Sequence, residues 1–151
     1  MATTSEREEI LQVLHRYNHA IDSGDADGWA RCFTEDGVFE VAGNVTTGRE
    51  ALRGFATSIA GGGMRHVLAN PVIDVEGDTA QARWSTVELG IRRGSQTLNV
   101  IFGRYEDVLV RWGHEWRFRQ RVFTMAGRTQ VETAKLQLNP SFFSAPIPGL
   151  P

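Results

Sequence analysis

Three polar residues stand where the surrounding pattern is apolar, and together they could move a proton. Tyr17 and Asp22 fall at the end of an N-terminal amphipathic stretch, and His66 falls in the run Arg65-His66-Val67-Leu68-Ala69-Asn70-Pro71-Val72. A tyrosine hydroxyl, a carboxylate and an imidazole supply an electrophile, an orienting group and a base. Brought together they make an acid/base site for a small hydrophobic molecule; kept apart they are core-edge residues. An imidazole titrates near neutrality, which suits a base, but a half-buried strand histidine with one satisfied hydrogen bond looks the same in sequence. Asp22 reads either as a turn residue of Asp22-Ser23-Gly24-Asp25 or as the partner that orients His66. Asn18, one helical turn earlier, is within reach of Asp22. Packing alone accounts for Tyr17, although a buried hydroxyl needs a partner and a substrate oxygen can be one.

The elements that must position these groups follow from periodicity. Ile10, Leu14, Tyr17 and Ile21 recur at helical steps, with Leu11 and Val13 widening the stripe, and Ser23-Gly24 ends the helix. A short helix is predicted from Asp25, its N-cap, to Phe33, with Trp29, Cys32 and Phe33 apolar. Thr34-Glu35-Asp36-Gly37 reads as a turn and Val38–Val41 as a strand. Thr47-Gly48-Arg49-Glu50 fits a capping box opening a helix through Leu52, Phe55 and Ile59. Gly61-Gly62-Gly63 reads as a turn, after which the period becomes that of strands: Met64–Val75, Thr79–Ile91, Thr97–Arg111, and Glu115 to about Ala126. Helices followed by long antiparallel strands predict an α+β fold with a curled sheet wrapped around the N-terminal helices and a pocket on its concave face.

Alternation nominates pocket residues. Ala80, Ala82, Trp84, Thr86 and Glu88 share one face, so Glu88 points inward with Trp84 unless a bulge turns it out. On the last strand Trp116, Phe118, Gln120 and Val122 form one face; Arg117, Arg119 and Arg121 form the other, a solvated or interface face. Arg128 is placed at the pocket mouth. The residues assigned to hold substrate are Asn18, Trp29, Phe55, Asn70, Trp84, Glu88, Phe102 and Gln120, although Asn70-Pro71 could simply bend its strand. His15, His19 and His114 are assigned to the surface and Cys32 to the core.

Composition narrows the class. The 151 residues are 41% hydrophobic and 23% charged, as in a globular chain with a real core. A net charge of −2 leaves no basic excess for nucleic acid. One cysteine, an acidic N-terminus without an apolar run and no membrane-length apolar stretch lead to the expectation of a cytoplasmic protein. No Cys/His cluster has metal spacing and no glycine-rich loop follows a strand, so neither metal nor cofactor is expected.

Several motifs together resemble one family. They are Tyr17-x4-Asp22-Ser23-Gly24-Asp25, Trp29-x3-Phe33-Thr34-Glu35-Asp36-Gly37, Gly48-Arg49-Glu50-Ala51-Leu52, Arg65-His66-x3-Asn70-Pro71, Gly103-Arg104-Tyr105-Glu106-Asp107 and Trp116-Arg117-Phe118. Over roughly residues 6 to 126 they resemble the SnoaL-like family of the nuclear transport factor 2-like, or cystatin-like α+β, superfamily. The resemblance implies a cone-shaped pocket, and one domain over 1–130 with a tail over 131–151 that covers the pocket or contacts a neighbouring subunit. It implies His66 as catalytic base and Asp22 as its partner, as in scytalone dehydratase-like, bile acid dehydratase-like and dehydrochlorinase relatives. The step from Tyr17 to Asp22 matches the bile acid dehydratase-like members. Scytalone dehydratase-like members carry a tyrosine directly before the Asp, where this chain has Ile21, and a second strand histidine that this chain lacks. The implied activity is a cofactor-independent dehydratase for a small apolar oxygenated metabolite (polyketide, steroid-like or aromatic). Isomerase or cyclase chemistry with the same dyad is an alternative, as is a structural subunit like that of ring-hydroxylating dioxygenases. Relatives also imply a homodimer or homotrimer.

Overall fold

The structure is a computed structural model that describes residues 4–60 and 63–137. Gly61, Gly62 and the apolar tail from Leu138, on which the lid or subunit-contact expectation chiefly rests, lie outside the described residues. Helix α1 (Thr4–Ser23) buries Ile10, Val13, Leu14 and Tyr17 on the stripe its sequence marks. It ends at Gly24, whose φ of 79° only glycine adopts freely. Gly24 N–H donates to Ile21 O at 3.2 Å and Asp25 N–H to Ala20 O at 2.8 Å, the paired bonds of a Schellman termination. Helix α2 (Ala26–Arg31) starts at once, its N-cap Asp25 accepting from Gly28 N–H at 2.8 Å.

The strands are β1 (Phe33–Val41), β2 (Asn44–Thr47), β3 (Met64–Glu76), β4 (Thr79–Gly90), β5 (Thr97–Trp112) and β6 (Glu115–Glu132), with helix α3 (Arg49–Ile59) between β2 and β3. They form one mixed sheet in the order β2-β1-β6-β5-β4-β3. Strand β1 runs parallel to β6 and every other pairing is antiparallel. The sheet is curled but unclosed, with β2 and β3 as its two edges. Among the described residues no helix is long and apolar enough to cross a membrane.

Four local expectations need correction. Thr34–Gly37 is not a free turn; it lies within β1, where the register with β6 shifts between Phe33 and Val38. The capping box does not form, because Thr47 is taken up in β2 and Gly48 occupies the cap with a φ of 88° and no side-chain cap bond. The last strand runs past Ala126 to Glu132, followed by a 3-10 turn over Thr133–Lys135. Finally, β6 carries two extra residues against β5. Gln120 faces Val108 while Phe118 faces Leu109, leaving Arg119 over; Gly127 faces Phe102 while Met125 faces Gly103, leaving Ala126 over. Each bulge reverses which side chains point inward.

The core lies between the helices and the concave face of the sheet. Trp29 is its hub, with ring centroids 5.1 Å from Tyr17, 5.0 Å from Phe33, 5.6 Å from Phe39 and 5.8 Å from Phe55. Offset and edge-on ring pairs of this kind add about 0.5–1.5 kcal/mol each beyond burial.

Candidate active site

The site forms where the end of α1 meets the sheet's edge. Strand β3 pairs only with β4, so alternate backbone N–H groups on its free side need other acceptors. His66 N–H is one, and it donates to Asp22 Oδ2 at 2.9 Å. The other carboxylate oxygen, Asp22 Oδ1, meets His66 Nδ1 at 2.5 Å. One carboxylate thus fixes both the backbone and the ring of His66. It does so from the last turn of α1, where the helix dipole disfavours an anion and a donor pair offsets that cost. An ionised carboxylate only accepts, so Nδ1 carries the proton and Nε2 offers its lone pair to the interior.

Glu88 completes the cluster. It is the cross-strand partner of His66, and the outward-directed His66 N–H makes this a non-hydrogen-bonded pair, the kind with the closest side chains. Glu88 Oε1 lies 3.6 Å from His66 Nε2 and accepts a hydrogen bond from Tyr105 Oη at 3.2 Å. The side chains of Asp22, His66 and Glu88 are 6%, 9% and 10% exposed, so the cluster works largely out of water. Burial pushes the Glu88 carboxyl above its ordinary range, against the charge His66 carries when its ring is protonated and the bond from Tyr105. Burial also pushes the Tyr105 and Tyr17 hydroxyls up, keeping both protonated as donors.

The other nominated residues divide. Trp84, Thr86 and Glu88 face inward as the alternation of β4 requires. Trp84 is already engaged, stacked on Tyr105 at 4.7 Å and donating from Nε1 to Asp107 Oδ2 at 2.7 Å. Asn18 is buried, and its side-chain oxygen has no hydrogen-bond partner among the described residues; Thr86 Oγ1 is left in the same condition. Buried acceptors and hydroxyls without partners are suited to a ligand's polar atoms. Tyr17 packs against Trp29, Phe33, Tyr105 and Phe118. Trp29 and Phe55 belong to the aromatic core, Trp29 fully buried and Phe55 half-buried against it.

Three assignments are overturned. Asn70 is exposed at a bulge between Ala69 and Val72, with a φ of 54°, so it bends the strand. Phe102 is 46% exposed on the outer face, its ring lying over Gly127; Ile101, opposite Glu88, takes the inward place. Gln120 is exposed and Arg121 is fully buried, because the bulge at Arg119 exchanges their faces.

Sequence reasoning therefore missed Arg121. Its guanidinium carbon sits 3.9 Å from the Tyr17 ring centre, 4.2 Å from Tyr105, 4.3 Å from Phe118 and 4.4 Å from Trp84. Its Nε lies 3.3 Å from Asp107 Oδ1, both side chains being wholly buried. Asp107 is pushed up to about 6 by burial, against the pull of Arg121 and the bond from Trp84. Arg111, by contrast, sits in an acidic cluster with Glu6, Glu9 and Asp78.

Comparison with known proteins agrees with this architecture. A SnoaL-like domain model matches residues 2–122. The structure of a variant of Rv3472, a Mycobacterium tuberculosis protein of unknown function, is 31% identical, with a TM-score of 0.75 over 82% of this chain and 77% of that one. An NTF2-like protein with a cystatin-like fold from Novosphingobium aromaticivorans is 28% identical, with a TM-score of 0.72 over 81% and 82% of the two chains. A second protein from that organism, provisionally described as a scytalone dehydratase, is 22% identical, with a TM-score of 0.76 over 83% and 87%; at that identity the likeness shows fold alone. With residues 2–122 matched and the mixed, curled sheet shared, this chain belongs to the SnoaL-like domain family and has the NTF2-like, cystatin-like fold.

Proposed function

We propose that the protein is a cofactor-independent lyase, a dehydratase acting on a small, largely apolar, oxygenated molecule. His66 Nε2 takes the proton from a carbon activated by a neighbouring carbonyl, and Asp22 holds the ring and stabilises the imidazolium that forms. The buried hydroxyl of Tyr17 is the donor available to a developing oxyanion or a departing hydroxyl, that of Tyr105 being given to Glu88. Positioned acid/base groups contribute about 10²–10⁴-fold each. The observation that carries the reading is the two-point contact of Asp22 with His66, at 2.5 and 2.9 Å. A subunit that only scaffolds has no use for an imidazole fixed at both its ring and its backbone in a buried site. Isomerisation and ring closure begin with the same proton abstraction, and the product tells them apart.

The test is turnover of a panel of β-hydroxy carbonyl compounds with aromatic or alicyclic bodies, followed by mass loss of water. His66→Gln should abolish any activity found while circular dichroism stays unchanged. Activity that survives His66→Gln would sink the proposal.

A further inference from the structure

Resting on that reading, the structure also says something about the far end of the substrate. One row of cross-strand partners crosses the concave face: His66 on β3, Glu88 on β4, Ile101 on β5 and Arg128 on β6. Directly opposed residues project to the same side of a sheet, so these four side chains share a face. Neighbouring strands lie about 4.8 Å apart, which puts Arg128 roughly 14 Å along the sheet from His66. Beyond this row a cleft of about 650 Å³ opens at the end of the sheet, lined by Met64, Arg92, Asn99, Ile101, Arg128 and Gln130 among others. It is continuous with the dyad's row through Ile101 and Arg128.

Among the described residues nothing neutralises the charge of this cleft. Arg92 and Arg128 are exposed, and among the described residues neither has an ion-pair partner. Glu132, the acidic residue next along β6, is occupied by Lys135 at 3.1 Å. Asn99 and Gln130 are tied to each other by a hydrogen bond of 2.8 Å, which leaves the two guanidinium groups as the cleft's strongest free donors. An apolar spacer, Ile101, separates this positive end from the carboxylate of Glu88.

We propose that this cleft binds an anionic group on the substrate, a carboxylate or a phosphate, held by Arg128 with Arg92. The substrate class is then an oxygenated apolar molecule with an acidic terminus at the far end of the row, whose end residues stand roughly 14 Å apart along the sheet. Guanidinium groups suit either anion because both accept two parallel N–H bonds. The bound end fixes the register of the molecule over the dyad, which supplies the orientation that proton abstraction needs.

The test is calorimetric binding to the full chain of three probes of one length: ω-hydroxydodecanoate, ω-hydroxydodecyl phosphate and ω-hydroxydodecanamide. The two anions should bind about tenfold tighter than the amide, or better, and added salt should erode the difference. Arg128→Gln should remove most of the preference, and Arg92→Gln a smaller part. Whichever anion binds more tightly identifies the terminus as a free acid or a phosphoester. Equal affinity for acid and amide, an unchanged preference in Arg128→Gln, or no binding of either anion would overturn the proposal. His66→Gln should keep the anion preference; a parent chain that discriminates anions but turns over none of the β-hydroxy carbonyl panel would remove the lyase reading and leave the anion site in place.

Discussion

Two buried clusters on the same concave face each set a carboxylate against a cationic or basic group, and they are built for opposite purposes. In one, Asp22 and Glu88 flank His66, whose charge can come and go, and the side chains keep 6–10% exposure. In the other, Asp107 faces Arg121, whose charge is permanent, with no exposure at all and four aromatic rings around the guanidinium. A proton can enter and leave the first cluster. The guanidinium of the second cannot give up its proton, and it packs among the rings of Tyr17, Trp84 and Tyr105, the last of which bonds to Glu88 in the first. The comparison teaches that burial of charge is not by itself a sign of catalysis; what matters is whether the buried cation can lose its proton.

Breaking the permanent pair should cost the most in stability. Arg121→Met leaves Asp107 buried without a partner and should destabilise the fold by about 3–5 kcal/mol in urea unfolding. Arg121→Met combined with Asp107→Leu should recover at least half of that loss, since the unpaired charge goes with it. A single variant within about 1 kcal/mol of the parent would show that the pair does not order the core.

The titratable cluster should respond in activity more than in stability. Asp22→Asn keeps the shape but cannot stabilise the imidazolium, and should lower kcat about a hundredfold with KM little changed, measured on whichever substrate turns over. Equal loss of folding and activity would instead make Asp22 a structural residue.

The pH dependence distinguishes the clusters further. Asp107 has a folded-state value of about 6, above its unfolded one. Its contribution to stability is fully present below about pH 4 and is lost as pH rises to about 6, an effect of roughly 1–3 kcal/mol. Glu88 shifts in the same direction through burial. In Asp107→Asn the fall in stability between pH 4 and 6 should therefore shrink; an identical pH profile in parent and variant would contradict it. The smallest effects belong to the outer face. Phe102→Ala and Gln120→Ala should leave kcat/KM within about twofold, because both side chains point away from His66, whereas Ile101→Ala should raise KM. A large loss in Gln120→Ala would mean that the face exchange at Arg119 is wrong.

Much of this was legible in the sequence. The stripe through Ile10, Leu14 and Tyr17, the capping role of Asp25 and the inward run Ala80, Ala82, Trp84, Thr86 and Glu88 all came from one-residue rules of periodicity, and the structure keeps them. The family pattern correctly brought Asp22 to His66 across 44 positions. Faces on β6 were misread for a definite reason: alternation predicts orientation only while no residue is added, and Arg119 and Ala126 are both additions. Local sequence does not mark either bulge, since each depends on how β6 matches its neighbours: β5 and β1 at Arg119, β5 alone at Ala126.

What the sequence determined by itself was therefore the three helices and the four long strands, the family, and Tyr17, Asp22 and His66 as candidate groups; the edge strand β2 and the start of β1 at Phe33 were not marked. Tertiary structure alone decided that Arg121 is caged inside while Gln120 faces out, that Glu88 stands 3.6 Å from the imidazole, and that Arg128 ends the row that begins at His66. The physical reason is that orientation along a strand is a parity, and parity is set by register with the neighbouring strands rather than by the residues of the strand alone.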